Sequence, residues 1–329
     1  MRLSNVMFIL TRYFSSPKYQ AEFMSGSIFC SSMSKFTEIL PERGLHEAAG
    51  KGDKAAAWIL KHKLSEGQRD VLEGVIADLD LDVTQLPEDL KKNSVSDIKA
   101  RAVGYSYCNI VCFNKVEYKK IYDDRTFTIP MSESKVRAYD VYAPTDMTKD
   151  FGEYAVVILD MQAFIRRVGN AAEQQGWKYL AHSVDYHPLT FHGKRVKPIG
   201  GMATLVSDPL DLRLFEEDGR AVIRNYDAFD KWDKHRIEQE YRIALERNGR
   251  FTDPVRLEIG ALSDIAVPVK AKDVGSAIDT LLVQGRICPS VEEPLGNISS
   301  EQMRSDFYAM GDGKVNFAVM IGGIAEVED

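Results

Sequence analysis

The chain has 329 residues, of which 44% are hydrophobic and 28% charged, with a formal net charge of -7. That balance excludes an intrinsically disordered chain, whose low hydrophobicity could not offset the entropy of ordering it. The acidic total, with a pI near 5.5, speaks against a general nucleic-acid binder, whose contacts are mostly to phosphate. A local basic cleft remains compatible with it.

Taken in chain order, residues 5–13 (NVMFILTRY) read as a first strand. Pro17 then opens a short helix over 17–24, with Tyr19, Phe23 and Met24 as its apolar side, and Ser25-Gly26 ends it. Residues 27–33 (SIFCSSM) are the next strand candidate. Residues 38–85 are richer in charge, with a helix predicted over 53–63 from its alanines, leucine and lysines. The segment 78–96 reads as a surface excursion, and 102–113 (AVGYSYCNIVCF) as an apolar strand.

Residues 154–159 (YAVVIL) predict a buried strand leading to a helix over 161–175, with Phe164, Ile165 and Val168 inward. A strand over 177–185 is expected to pair with the one before it. After the Asn248-Gly249 turn, residues 254–259 complete an expected hairpin with the segment preceding them. A further strand is expected after 262, and a helix over 273–284. Short strands dominate, without the regular long helices of a doubly wound fold, so the predicted class is α+β.

Several familiar signatures are missing. There is no GxGxxG after a strand, and no P-loop, HExxH or GxSxG. The four cysteines include a Cys108–Cys112 pair that nothing nearby completes to a zinc set, so reduced thiols are expected. His182, His187 and His192 lie five apart in HSVDYHPLTFH, where Pro188 and the aromatics indicate a loop rather than converging ligands. No metal site is expected. Lys194, Arg195 and Lys197 form a small basic run, either a solvated patch or a contact for nucleic acid. No segment approaches the ~20 apolar residues of a membrane-spanning helix, and the opening residues lack the long apolar core of a signal peptide. A cytoplasmic protein without a membrane anchor is the expectation.

The most informative stretch is 235–245, HRIEQEYRIAL. Read as a strand, it points Ile237, Gln239, Tyr241, Ile243 and Leu245 one way, and Glu238, Glu240, Arg242 and Ala244 the other. Both carboxylates then share a face. A plain alternative is the solvated side of an amphipathic strand. A helix is the other alternative, since Ile237, Tyr241 and Ala244 also fall at helical spacing. It would separate the two acids by about 200°.

Residues 13–36 (YFSSPKYQAEFMSGSIFCSSMSKF), 68–74 (QRDVLEG), 155–168 (AVVILDMQAFIRRV), IEQEYRIAL and 255–262 (VRLEIGAL) resemble a broad group of bacterial proteins found near phage-defence and toxin–antitoxin genes. The order of an arginine strand, a serine strand and a Glu-x-Glu strand also resembles the ADP-ribosyltransferases. That resemblance implies a split antiparallel sheet core with peripheral helices. The chain would be a single large domain over 1–329, with the core in 1–265, insertions at about 38–100 and 170–225, and a C-terminal extension over 266–329.

The resemblance further implies NAD as the molecule whose glycosidic bond is broken. Arg12 would offer its planar fork of donors to phosphate or ribose oxygens. Ser31 or Ser32 would hold the ribose hydroxyls; the chain has SSM where the family's best-known motif has a serine-threonine-serine run. Glu240 would accept from the ribose 2′-OH and stabilise oxocarbenium-like charge. Glu238 would act as general base or orient the acceptor. Tyr13 or Phe36 would stack near the nicotinamide. Each has a plainer alternative: Arg12 as a salt-bridge arginine, the serines as ordinary strand hydroxyls. Arg69, Asp70 and Glu73 either line the cleft or form a salt-bridged turn. The implied function is an intracellular toxin or anti-phage effector modifying nucleic acid, RNA above all, with an antitoxin protein as partner. Two rivals stand beside it: a non-catalytic module binding a ligand or phage protein on the same scaffold, and a phosphodiesterase or nuclease. The second is disfavoured by the lack of a dense carboxylate cluster for two metals.

Overall fold

A computed structural model describes residues 7–33, 108–120, 139–143, 151–187, 228–247, 249, 253–288, 294–299 and 302–303, and the backbone of short strands elsewhere. Its centre is a ten-stranded sheet in which all pairings are antiparallel. In chain order the strands are β1 (Met7–Phe14), β2 (Ser27–Ser32), β3 (Cys108–Lys120), β4 (Tyr139–Tyr142) and β5 (Tyr154–Ile158). They continue with β6 (Lys178–Ser183). Strands β7 (Asp185–His187) and β8 (Asp230–Trp232) form a separate parallel pair. The large sheet resumes with β9 (Glu240–Glu246), β10 (Val255–Glu258), β11 (Ala266–Lys270) and β12 (Leu295–Gly296). Helices α1 (Pro17–Met24), α2 (Met161–Gln174) and α3 (Val274–Val283) lie around it. The class is mixed α and β, as the composition of elements predicts.

The strand order is β11-β5-β1-β3-β9-β6-β12, with β2 and β4 also paired to β3, and β10 to β2. The 13-residue β3 is the spine. On one edge, its residues 114–118 pair with β1 and its residues 109 and 110 with β2, so β1 and β2 part from each other along that edge. On the other edge, Cys108 to Asn114 pair with β9, and Glu117 to Lys120 with β4.

Local chemistry starts α1 and α2 where the sequence predicts. Ser16 caps α1 by accepting from the Tyr19 N–H at 3.3 Å, and Pro17 occupies the first turn, where its missing N–H costs nothing. Asp160 caps α2 by accepting from the Ala163 N–H at 2.8 Å. Helix α2 buries Phe164, Ile165 and Val168. These meet Phe8, Phe23, Phe113 and Tyr241 in one apolar cluster. Phe113 and Phe164 meet edge to face at 5.3 Å, and Phe23 and Phe164 stack at 5.9 Å. The opposite face of the sheet has its own apolar cluster, where Ile9, Val116 and Val157 pack with Val274 and Ile278 of α3.

Three expectations are corrected by the strand pairing. β6 pairs with β9 and β12, not with β5. β10 pairs with β2, so residues after Asn248-Gly249 do not fold back as a hairpin on β9. Residues 190–191 and 194–197, expected as loop and basic run, are short paired strands. In the first two cases the partner lies far away in the chain, where local turn chemistry carries no information; the third is a local hairpin across residues 192–193. The predicted helix over 53–63, the excursion at 78–96 and the segment 68–74 lie outside the described residues, apart from the backbone of a strand at Val75–Leu79. That strand belongs to a separate five-stranded sheet.

Gly26 makes the turn from α1 into β2 at φ 92°, a conformation that costs an L side chain about 1–2 kcal/mol. A Cβ there would also collide with the backbone carbonyl of Gly260. Gly26→Ala is therefore expected to destabilise the protein by at least about 2 kcal/mol, read as a lower urea midpoint with unchanged slope.

Candidate functional site

The acidic segment folds differently from its alternation. Asp233–Glu238 is a 3-10 helix, and the strand begins only at Glu240. Gln239 joins the two at φ 43°, the left-handed region that is uncommon for a non-glycine residue. Ile237, expected inward, is 60% exposed. The two carboxylates still meet, but through this turn rather than through a shared strand face.

Nor is the charged side of β9 solvated. All seven residues of the strand are buried. Tyr241, Ile243 and Leu245 enter the α2-side apolar cluster. Glu240 and Arg242 face the other way at 4% and 1% exposure. Arg242 grips Glu240 with two bonds, Nε to Oε1 at 2.9 Å and Nη2 to Oε2 at 3.0 Å, and its Nη1 donates to the Ala228 carbonyl at 2.7 Å. Lys231, from β8, donates its Nζ to Glu240 Oε2 at 3.1 Å and to Glu238 Oε2 at 2.7 Å. His235 Nδ1 lies 3.0 Å from Glu238 Oε1. The Tyr186 hydroxyl accepts the Glu240 N–H at 2.8 Å, and Asn114 Nδ2 donates to the Glu238 carbonyl at 2.7 Å.

Burial alone would raise the Glu240 pKa, but Arg242, then Lys231, then a bond from the Cys112 thiol outweigh it and hold the carboxyl far below its usual range. Burial also opposes ionisation of Glu238, and is outweighed there by His235 and Lys231, which lower its pKa. The Cys112 thiol moves the other way, raised by burial and then by Glu240, so it stays protonated and donates. Arg242 Nε, Arg242 Nη2 and Lys231 Nζ together take three of the about four acceptor positions of a carboxylate.

Arg12 sits where β1 and β2 part. Its Nη1 donates to the Cys112 carbonyl at 3.4 Å and its Nη2 to the Phe29 carbonyl at 3.3 Å. Its guanidinium lies over the rings of Phe14, Phe23 and Phe113 at 5.6–5.8 Å. Among the described residues it meets no carboxylate, and burial lowers its pKa. Thr11 and Glu240 both pair with Asn114 and so share a face. Arg12, next to Thr11, points to the other face. Cys112 stands between the two sites, its carbonyl toward Arg12 and its thiol toward Glu240.

The serines separate as well. Ser31 pairs with Ile110 and shares the face of Glu240, but four residues along β3 from Asn114, roughly 13 Å away. Ser32 pairs with Asn109 on the opposite face and is buried. Tyr13 is on the Glu240 face beside Thr11, with its phenol pKa raised by burial. Phe36, Arg69, Asp70, Glu73 and His192 lie outside the described residues. His182 is in β6 with Nδ1 2.6 Å from the Ser183 carbonyl, and His187 is in β7. No group of metal-ligating side chains occurs among the described residues, and no described helix is long and apolar enough to cross a membrane.

Lys231, His235, Tyr186 and Cys112 were not among the residues singled out from the sequence. The one available signal was Glu240 and Arg242 two apart on a strand, opposite charges on neighbouring positions of one face. Comparison of the chain with family models, curated proteins and solved structures finds no match.

Removing one member of a buried ion pair leaves the other uncompensated and costs about 3–5 kcal/mol. Glu240→Gln is expected to lose about 3 kcal/mol by that mechanism, measured by urea unfolding at pH 7. The folded-state pKa of Glu240 is lowered, so its stabilisation is complete above the unfolded value of about 4.3 and drains away as pH falls below it. The wild-type urea midpoint should therefore drop steeply below about pH 4, and Glu240→Gln should flatten that drop.

Proposed function

We propose that this chain is an NAD-dependent ADP-ribosyltransferase, acting as an intracellular toxin or anti-phage effector with RNA as acceptor. One observation carries the reading: the arginine, serine and glutamate strands all pair with β3, with β1 and β2 parting on one edge and β9 on the other. The resemblance implies such an adjacency of the three strands, although Arg12 and Glu240 take opposite faces of the sheet. Arg12 supports it further, as a cation that meets no carboxylate among the described residues and has donors left for an anionic ligand.

NAD enters as the ADP-ribose donor. Arg12 would offer guanidinium donors to its phosphates. The NAD ribose does not fit Glu240 as arranged, because the buried carboxylate already accepts three charged donors, two from Arg242 and one from Lys231. A sugar hydroxyl reaches Glu240 only by displacing part of that set. No step through NAD is drawn from this arrangement. The same occupancy favours a second reading, a non-catalytic module that binds a ligand or phage protein on this scaffold.

The purified chain, incubated with NAD, is expected to release nicotinamide, and Glu240→Gln to lower that release by at least about 100-fold. Labelled NAD offered with separate pools of RNA, DNA and protein should label the RNA. Binding without nicotinamide release would establish the module instead, and unchanged release in Glu240→Gln would remove Glu240 from the chemistry. An antitoxin partner is expected to co-purify with the chain when their genes are expressed together.

A further inference from the structure

The Lys231 ammonium lies between the two acids, 2.7 Å from Glu238 and 3.1 Å from Glu240, and belongs to neither alone. Arg242 already neutralises Glu240 with two bonds. Lys231 is the cation that links the second carboxylate to the first, while His235 meets the other oxygen of Glu238. All three heads are nearly closed to water, with side-chain exposures of 7% for Lys231, 12% for Glu238 and 5% for Glu240. In such a site two like charges repel strongly, and without a shared cation one of them would take up a proton.

We propose that Lys231 is the positioning residue of this site: shared between Glu238 and Glu240, it fixes their spacing and keeps both ionised so that they work as one unit. Among the described residues, the groups facing the pair are Arg242 on β9, Cys112 on β3, Tyr186 on β7, His235 on the 3-10 turn and Lys231 itself on β8. Lys231 is the only one of these that bonds both carboxylates. Its backbone is held by the β7–β8 ladder, where it pairs with Tyr186. Docking of that ladder therefore delivers the cation to the acids. The turn at Gln239 delivers Glu238 to the cation. The kinetic consequence of this role rests on the transferase reading; the electrostatic one does not.

The test is a carboxylate titration by NMR on protein labelled with carbon-13 at the glutamate side chains, in wild type, Lys231→Met and Lys231→Arg. The Glu238 and Glu240 midpoints are expected to rise by at least one pH unit in Lys231→Met, and Lys231→Arg to restore most of the shift. Equal midpoints in wild type and Lys231→Met overturn the proposal. Should Lys231→Met fail to fold, Lys231→Met/Glu238→Gln removes one charge of each sign. Its Glu240 midpoint is then expected above that of Glu238→Gln alone, and an equal midpoint overturns the proposal. In nicotinamide release, the acid limb of the kcat/KM profile should move up with the midpoints in Lys231→Met. A shift in the titration without any release by wild type leaves Lys231 in its role and removes the transferase reading.

Discussion

Strand β9 carries charge into the interior, and the surrounding fold is arranged around meeting it. Glu240, Arg242 and Glu246 are buried in a strand flanked on both edges by other strands. Each ion withdrawn from water costs several kcal/mol even after the protein relaxes. Arg242 answers Glu240 from the same strand, and Lys178 on the neighbouring β6 lies 3.8 Å from Glu246. The remaining acid, Glu238, has to be answered from outside the sheet, which ties the β7–β8 ladder and the 3-10 turn to the strand. A misplaced ladder would leave carboxylates facing one another in a dry site.

The expense of this arrangement bears on its purpose. Buried ion pairs can often be replaced by apolar side chains of similar volume with no loss of stability. The α2-facing side of the same strand does use apolar side chains, with Tyr241, Ile243 and Leu245 in the aromatic cluster. The charged side is therefore not explained by packing alone. Gln239 fits the same pattern, since left-handed backbone at a non-glycine residue concentrates where geometry matters more than local energy. Together the turn and the shared lysine give Glu238 and Glu240 a fixed relation that a straight strand would not.

The relation between the two halves of the candidate site is set by β3. Its Cys112 presents the carbonyl to Arg12 and the thiol to Glu240, so the two lie on either side of one residue while facing opposite ways. Arg12 fills the gap where β1 and β2 part, supported beneath by aromatic rings that exclude water. Among the described residues its guanidinium is held by carbonyl dipoles rather than by a counter-ion. Ser31 and Ser32, adjacent in sequence, fall on different faces, and neither comes near Glu240 along the strand.

Read alone, the sequence determined most local elements: β1, α1, β2, β5 and α2 fall within about two residues of their predicted limits, because caps and apolar periods are written in neighbouring residues. It also singled out Arg12, Glu238 and Glu240. It missed the end of the acidic strand, since the alternation that marks a strand continued through residues 235–239 while the backbone turned at Gln239. Only the tertiary structure decided which strands pair, which face each charge takes, and that Lys231 stands between the acids. The pairing of Asn114 with Glu240 spans more than a hundred residues, and neutralisation of a buried charge depends on whatever the completed fold brings alongside. No local period records either.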